Sequence, residues 1–114
     1  MKNEHIEKDS LGKNQHESGA KLDAGKNRVG LVLNDFANAL LAVSEVGTGG
    51  AQKYTDRGWL DVPQGQDRYT DAMLRHHFAQ AKGEDKDPDT KLSHTAHRAW
   101  NALAVLELEI RSQT

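Results

Sequence analysis

The sequence of 114 residues contains no cysteine, which excludes a disulfide framework, thiolate zinc sites and cysteine nucleophiles. Aromatic residues are scarce, at 5% of the chain, and only 36% of the residues are hydrophobic. A chain of this length and composition can bury one modest core. We therefore expect a single domain that gains stability from association with further copies.

Long apolar runs are also missing. The longest, residues 39–43, is far too short to cross a bilayer, and no apolar segment of a secretory signal follows Met1. Neither sign of charge dominates, because 15 Lys and Arg residues are balanced by 17 Asp and Glu residues. We therefore expect a cytoplasmic protein that binds neither membranes nor nucleic acids directly.

The first twenty residues hold three large apolar side chains, those of Met1, Ile6 and Leu11. Burial of so few groups cannot offset the entropy lost when the segment becomes ordered. The sequence thus predicts a flexible N-terminal arm over residues 1–20 and a single helical domain over residues 21–114.

Three stretches of the helical domain carry apolar residues at helical spacing. The stripes are Phe36, Leu40 and Val43 in the first stretch, Leu74, Phe78 and Ala81 in the second, and Ala96, Trp100, Leu103 and Ile110 in the third. The expected caps are Asn34 or Asp35, Asp67 and Ser93, and the expected ends are Gly47, Gly83 and a point near Ser112. We predict an all-α fold, a small bundle of three principal helices with long ordered loops and a short helical segment near Val29. Trp59 and Tyr54 are expected to hold the loop over residues 52–66.

Polar side chains share a stripe on the third predicted helix. His94, His97 and Asn101 follow an i, i+3, i+7 pattern that continues in Ala104 and Leu108, so the polar groups should face into the bundle. Inward polar groups need partners, and a metal ion, a carboxylate or a ligand would each satisfy them. Core histidines bonded to loop carbonyls are the alternative.

Two carboxylates on the other predicted helices are candidate catalytic groups. Asp71 shares a stripe with Phe78 and should point inward, unless it forms a simple surface ion pair with Arg75. Glu45 lies a turn after Leu41, where an exposed glutamate at a helix end is the alternative interpretation.

The segment between the second and third predicted helices is acidic, with Glu84, Asp85, Asp87 and Asp89 within a few residues. Carboxylate oxygens suit Mg²⁺ or Mn²⁺, and the run ends close to His94, so loop and histidines can converge at one end of the bundle. A solvated acidic loop would explain the same residues without a metal.

Basic and aromatic groups provide a complementary set, because cations suit phosphates and an aromatic face suits a base. The set comprises Lys21, Lys26, Arg28, Lys53, Tyr54, Trp59, Arg68 and Arg75. Solubility is the alternative role for the lysines, and loop anchoring is the alternative for Tyr54 and Trp59.

These residues together resemble the dATP/dGTP diphosphohydrolase N-terminal domain family of phages and bacteria. The resemblance covers roughly residues 20–110 through Lys21-x-Asp23-x-Gly25-Lys26-x-Arg28, Glu45, Lys53-Tyr54, Trp59, Arg68-Tyr69-x-Asp71-Ala72, Arg75-His76, Gly83-Glu84-Asp85-x-Asp87 and His94-x-x-His97-x-x-x-Asn101. The resemblance implies metal-dependent release of pyrophosphate from a purine deoxynucleoside triphosphate in a phage setting. It would place a phage-encoded chain in the host cell cytoplasm.

Our first hypothesis is therefore a nucleotide pyrophosphohydrolase. The expected ligands of Mg²⁺ or Mn²⁺ are Glu84, Asp87, His94 and His97, and Glu45 or Asp71 would orient the attacking water. The nucleotide-binding residues would be Lys21, Lys26, Arg28, Lys53, Tyr54, Trp59, Arg68, Arg75 and His76.

Two further expectations accompany this hypothesis. The chain lacks the EExxE helix of MazG-like pyrophosphohydrolases, so the alternative is a non-catalytic phage protein that sequesters a nucleotide or a host immune signal. The third predicted helix is apolar on two sides, which predicts a homo-oligomer packed through that helix.

Overall fold

The computed structural model describes residues 5–113 and is all-α. Its elements, in chain order, are α1 (Val29–Asn34), α2 (Ala37–Lys53), a 3₁₀ turn (Gly58–Asp61), α3 (Gly65–Ala81) and α4 (His94–Ser112), and these residues form no strand. Three principal helices and a short helix at Val29 are therefore confirmed. Within the same residues, every helix is too short or too polar to cross a bilayer.

The described chain divides into two compact units, one ending at Asp35 and the other beginning at Phe36. The predicted boundary at residue 20 thus lies inside the first unit, whereas the flexibility of the arm stays a prediction. Residues 1–4 of that arm, and residue 114 of the predicted helical domain, lie outside the described residues.

The carboxylate of Asp9 organises the first unit before α1. Its oxygens accept hydrogen bonds of 2.8–3.0 Å from three backbone N–H groups, those of Leu11, Lys13 and Lys21. These bonds, with that from Lys21 foremost, hold the pKa of Asp9 below its usual range. Hydrogen bonds to an ionised side chain, rather than regular secondary structure, therefore stabilise the conformation of this segment.

In the second unit, α2 and α3 both pack against α4. Ser93 begins α4 as predicted, because its hydroxyl accepts a hydrogen bond of 3.0 Å from the Ala96 N–H. Gly83 ends α3 as predicted, since its φ of +103° is a conformation that suits glycine. The predicted end of α4 at Ser112 is also confirmed.

The prediction that Gly47 ends the first principal helix is wrong. Helix α2 continues through four glycine and threonine positions to Lys53, and it begins at Ala37 without a side-chain cap from Asn34 or Asp35. A Cβ atom at Gly47 would lie 3.1 Å from Nε1 of Trp100. The glycine therefore permits close approach of the α4 indole, a tertiary contact that compensates for the low helix propensity of glycine.

The predicted cap of the second principal helix is wrong as well. Helix α3 begins at Gly65, two residues before Asp67, and its N-cap is Gln64 in a left-handed conformation. A Cβ atom at Gly65 would lie 3.0 Å from Cδ1 of Leu108 on α4. Asp67 lies in the first turn instead, where its charge interacts favourably with the helix dipole.

Three aromatic rings connect the 3₁₀ turn, α3 and α4. Trp59, Tyr69 and Trp100 pack edge to face with ring centres 5.5–6.2 Å apart, and the Tyr69 hydroxyl donates a 2.7 Å hydrogen bond to the Trp59 carbonyl. Trp59 therefore holds the connecting loop as predicted. Tyr54 does not, because its side chain is 74% exposed.

Several of the predicted apolar stripes do not form the core. The buried apolar residues of the second unit are Val46, Ala96 and Ala104. The predicted stripe residues that are exposed instead are Phe36, Leu40, Leu74, Phe78, Ala81, Leu103 and Ile110. Helix α3 turns Tyr69 and His76 toward α4 rather than its aliphatic stripe. The homo-oligomer stays a prediction, with exposed leucine and isoleucine side chains on α4 available for it.

The glycines of α2 should respond in opposite directions to substitution. Gly49 is exposed with open space around it, so Gly49→Ala should raise the free energy of unfolding by about 0.5–1 kcal/mol through helix propensity. Gly47→Val should lower it by about 1–3 kcal/mol, because the added methyl groups overlap Trp100. Urea titration followed by tryptophan fluorescence measures both changes. A stabilising Gly47→Val would contradict the proposed contact.

Candidate functional site

A cluster of histidines lies where the α3–α4 loop meets both helices. His76 projects from the half-buried face of α3, while His94 and His97 lie in the first turns of α4, next to the Ser93 cap. His94 is only 2% exposed and His97 is 9% exposed. The prediction that the polar stripe of the third helix faces inward is therefore confirmed, and Asn101, the third member, is buried too.

His94 connects the loop to α3 through both of its ring nitrogens. Its Nε2 lies 2.8 Å from Oε1 of Glu84, and its Nδ1 lies 2.8 Å from Nδ1 of His76. Since the carboxylate only accepts, the proton on Nε2 is donated to Glu84. With that proton on Nε2, the Nδ1 of His94 carries the lone pair and accepts the second bond from Nδ1–H of His76, so a metal ion bound at both Nδ1 atoms would displace this proton.

His97 packs beside this pair. Its ring stacks on that of His76 with centres 4.4 Å apart and planes 9° apart, and its Nε2 lies 2.7 Å from the Thr90 hydroxyl. Burial lowers the pKa of both His76 and His97, and neighbouring imidazoles lower the pKa of His76 further. Both rings are therefore neutral near pH 7 and retain a lone pair.

Asp87 contributes a carboxylate to the same cluster. Its Oδ2 accepts hydrogen bonds from the backbone N–H groups of Thr90 (2.8 Å) and Asp89 (3.0 Å). Burial opposes ionisation, but these bonds outweigh it and hold the pKa of Asp87 below its usual range. The loop thus presents an ionised carboxylate whose direction is fixed by its own backbone.

His76, Asp87 and His94 each offer one ligand atom, and the three atoms lie within 4.8 Å of one another. Two imidazoles and one carboxylate suit a divalent transition metal. Glu84 accepts a hydrogen bond from Nε2 of His94, the ring nitrogen that is not directed at the other two ligands. A carboxylate bonded to the second ring nitrogen is the arrangement that usually orients a metal-binding histidine. The donor set therefore fits a divalent cation.

The four predicted metal ligands are brought together, although not all in the same role. Asp87 and His94 belong to the group of three, whereas Glu84 bonds His94 and His97 bonds Thr90. His76, which we predicted to contact a nucleotide, joins the group instead. The signal that identifies it is its spacing with Tyr69 and Ala72 on the half-buried face of α3.

The two predicted catalytic carboxylates lie elsewhere. Asp71 is exposed, so the expectation that it points inward is wrong; it is five residues from His76 and projects about 140° away around the helix. Glu45 is exposed in the middle of α2 rather than at its end. Among the described residues, neither carboxylate makes an ion pair, so the alternative pairing of Asp71 with Arg75 is absent.

The predicted nucleotide-binding residues belong to both units. Those in the first unit, all exposed, are Lys21, Lys26 and Arg28. In the second unit, Arg68 donates a 3.3 Å hydrogen bond to the Pro63 carbonyl and Arg75 is exposed. Within the second unit, Lys53 reaches the acidic loop, where its Nζ lies 3.7 Å from Oδ2 of Asp89.

An apolar groove of about 330 Å³ runs between α2 and α4. It is lined by Val43, Trp59, Trp100, Leu103, Ala104, Leu106, Glu107 and Ile110. None of the clustered histidines or loop carboxylates lines it, and Glu107, its one titratable group, pairs with Arg111. The histidine cluster is therefore the better candidate for chemistry.

The lowered histidine pKa values predict a pH-dependent stability of the metal-free protein. Folding favours neutral His76 and His97, so their contribution is complete above the ordinary pKa of 6.5 and is lost as the pH falls below it. In a chelating buffer, the melting temperature should fall as the pH is lowered through this range. The His76→Asn/His97→Asn double variant should flatten the profile, whereas exposed His77→Asn should not. An equal slope in the double variant would contradict the assignment.

Comparison with known proteins places this sequence in a family. The sequence matches the family described as dATP/dGTP diphosphohydrolase, N-terminal, over residues 16–114. A protein from Salmonella phage PMBT28 named dATP/dGTP diphosphohydrolase is 31% identical over 91 residues, which cover 80% of this chain and 30% of that protein. The chain thus spans about 30% of the length of that relative. No solved structure matches this chain. The family match and the phage relative together show that this chain belongs to the dATP/dGTP diphosphohydrolase N-terminal family.

Proposed function

We propose that the chain binds a purine deoxynucleoside triphosphate through a divalent metal ion and takes part in its hydrolysis to a monophosphate and pyrophosphate. The observation that carries this proposal is the convergence of His76, Asp87 and His94. The name of the phage relative, dATP/dGTP diphosphohydrolase, supports the substrate class and the reaction.

The donor set favours Mn²⁺ over Mg²⁺ as the bound ion. Imidazole nitrogen suits transition metals, whereas Mg²⁺ prefers an all-oxygen environment with several retained waters. When bound, such an ion would coordinate phosphate oxygens and stabilise the negative charge that develops during phosphoryl transfer.

The residues around the ion have distinct roles in this proposal. Glu84 orients His94 through Nε2, and the stacked ring of His97 fixes the plane of His76. The backbone bonds of the loop keep Asp87 ionised and aimed at the cluster. Because Glu45 and Asp71 are exposed and outside these contacts, we assign neither of them to the attacking water.

Metal binding should depend on the clustered ligands and not on their exposed neighbours. His76→Asn and Asp87→Asn should each weaken Mn²⁺ binding by at least about tenfold, since each removes one of three ligands. An asparagine at position 87 retains an oxygen for the loop N–H groups, so the fold should persist. Electron paramagnetic resonance of free Mn²⁺ measures the affinity, and near-ultraviolet circular dichroism checks packing.

The matched controls for this measurement are His77→Asn and Asp85→Asn, which change exposed side chains beside the ligands. Both controls should bind Mn²⁺ like the unaltered protein. Equal Mn²⁺ affinity across all four variants, or no binding by the unaltered protein, would overturn the metal site.

Hydrolysis is tested directly with dATP and dGTP in the presence of Mn²⁺. We expect pyrophosphate and the deoxynucleoside monophosphate to accumulate in equal amounts and beyond one equivalent of protein. His76→Asn, purified in parallel, should lose the activity. Activity retained in this variant would identify a contaminating hydrolase as its source. Tight binding with full recovery of intact nucleotide would overturn hydrolysis. It would support the alternative function instead, a non-catalytic protein that sequesters a nucleotide.

A further inference from the structure

We infer that Lys53 and Tyr54, at the end of α2, form the nucleotide-binding arm of the metal site, with Lys53 on the phosphates and Tyr54 on the purine. This inference rests on the proposed function. It begins from a single contact between distant parts of the chain. Lys53 is the last residue of α2, and its ammonium lies 3.7 Å from Oδ2 of Asp89 in the acidic loop.

Asp89 links that ammonium to the loop that carries one of the clustered ligands. The backbone N–H of Asp89 donates a 3.0 Å hydrogen bond to Oδ2 of Asp87, which is one of the three clustered ligands. The cation on α2 is therefore one residue removed from a metal ligand. A triphosphate coordinated at the cluster would extend into the region that Lys53 reaches.

The pair of Lys53 and Asp89 is suited to exchange rather than to stability. Both side chains are largely exposed, at 61% and 77%, and exposed ion pairs contribute little to folding. A triphosphate carries several negative charges and would compete effectively for the ammonium. Asp89 occupies the place of a phosphate while the site is without substrate, and it repels an incoming anion.

Tyr54 supplies an open aromatic face at the same place. Its side chain is 74% exposed, although the connecting loop is anchored by Trp59, and the Lys53 ammonium lies 5.4 Å from the centre of its ring. When Lys53 turns to a phosphate, the ring becomes free to stack on a purine. Stacking on an aromatic ring recognises any base and does not by itself distinguish adenine from guanine.

Calorimetry on the Mn²⁺-loaded protein tests this arm with two probes, a non-hydrolysable α,β-methylene analogue of dATP and inorganic triphosphate. Lys53→Met should weaken both probes by about five- to tenfold, because it removes one charge-assisted contact. Asp89→Asn should strengthen both by about two- to fivefold, since it frees Lys53 and removes a repelling charge. Tyr54→Ala should weaken the dATP analogue alone.

Lys82→Met, which removes an exposed lysine at the end of α3, is the charge-matched control and should change either affinity by less than about twofold. Equal effects of Lys53→Met and Lys82→Met, or shifts of Lys53→Met and Asp89→Asn in the same direction, would overturn the phosphate role. Equal loss of both probes in Tyr54→Ala would overturn the purine role.

The outcomes also distinguish this inference from the function on which it rests. If the unaltered protein binds Mn²⁺ and both probes but Lys53→Met has no effect, the arm is wrong and the metal site stands. If the Mn²⁺-loaded protein binds neither probe, the proposed nucleotide function fails and the arm fails with it.

Discussion

The burial of His94 is the constraint on which the second unit depends. A histidine that is 2% exposed needs partners for both ring nitrogens, because an unsatisfied buried polar group is costly. Glu84 satisfies one nitrogen and His76 the other. The first contact fixes where the loop returns, and the second fixes which face of α3 turns toward α4. The fold of this unit and its candidate site therefore have a common cause.

Features with a local cause could be predicted from the sequence, and features with a tertiary cause could not. The Ser93 cap and the Gly83 end each follow from one residue and its own backbone. Gly47 would end a helix on propensity alone, but the indole of Trp100 occupies the space beside it. The sequence contains no signal for that contact, since the two residues are far apart in the chain.

The candidate site likewise combines features that could be predicted from the sequence with features that depend on tertiary packing. Helical spacing alone predicted that His94 and His97 share an inward stripe, and proximity along the chain predicted that the acidic loop joins them. The place of His76 depends on the choice between two faces of α3. Leu74 and Phe78 favoured one face, whereas aromatic packing of Tyr69 and the buried imidazoles select the other. Asp71, which lies on the aliphatic face, was misplaced for the same reason.

The charge of the loop determines the order in which ligands can bind in the proposed function. Glu84, Asp85, Asp87 and Asp89 lie within six residues, and a triphosphate is itself strongly anionic. At short range, repulsion between these groups exceeds what a single exposed lysine can offset. A divalent cation held by the histidines and Asp87 would offset much of this repulsion at the cluster, because the ion would be the largest local charge. In the proposed function, metal binding would therefore precede or accompany nucleotide binding, and the acidic loop would repel a nucleotide that arrives without the ion.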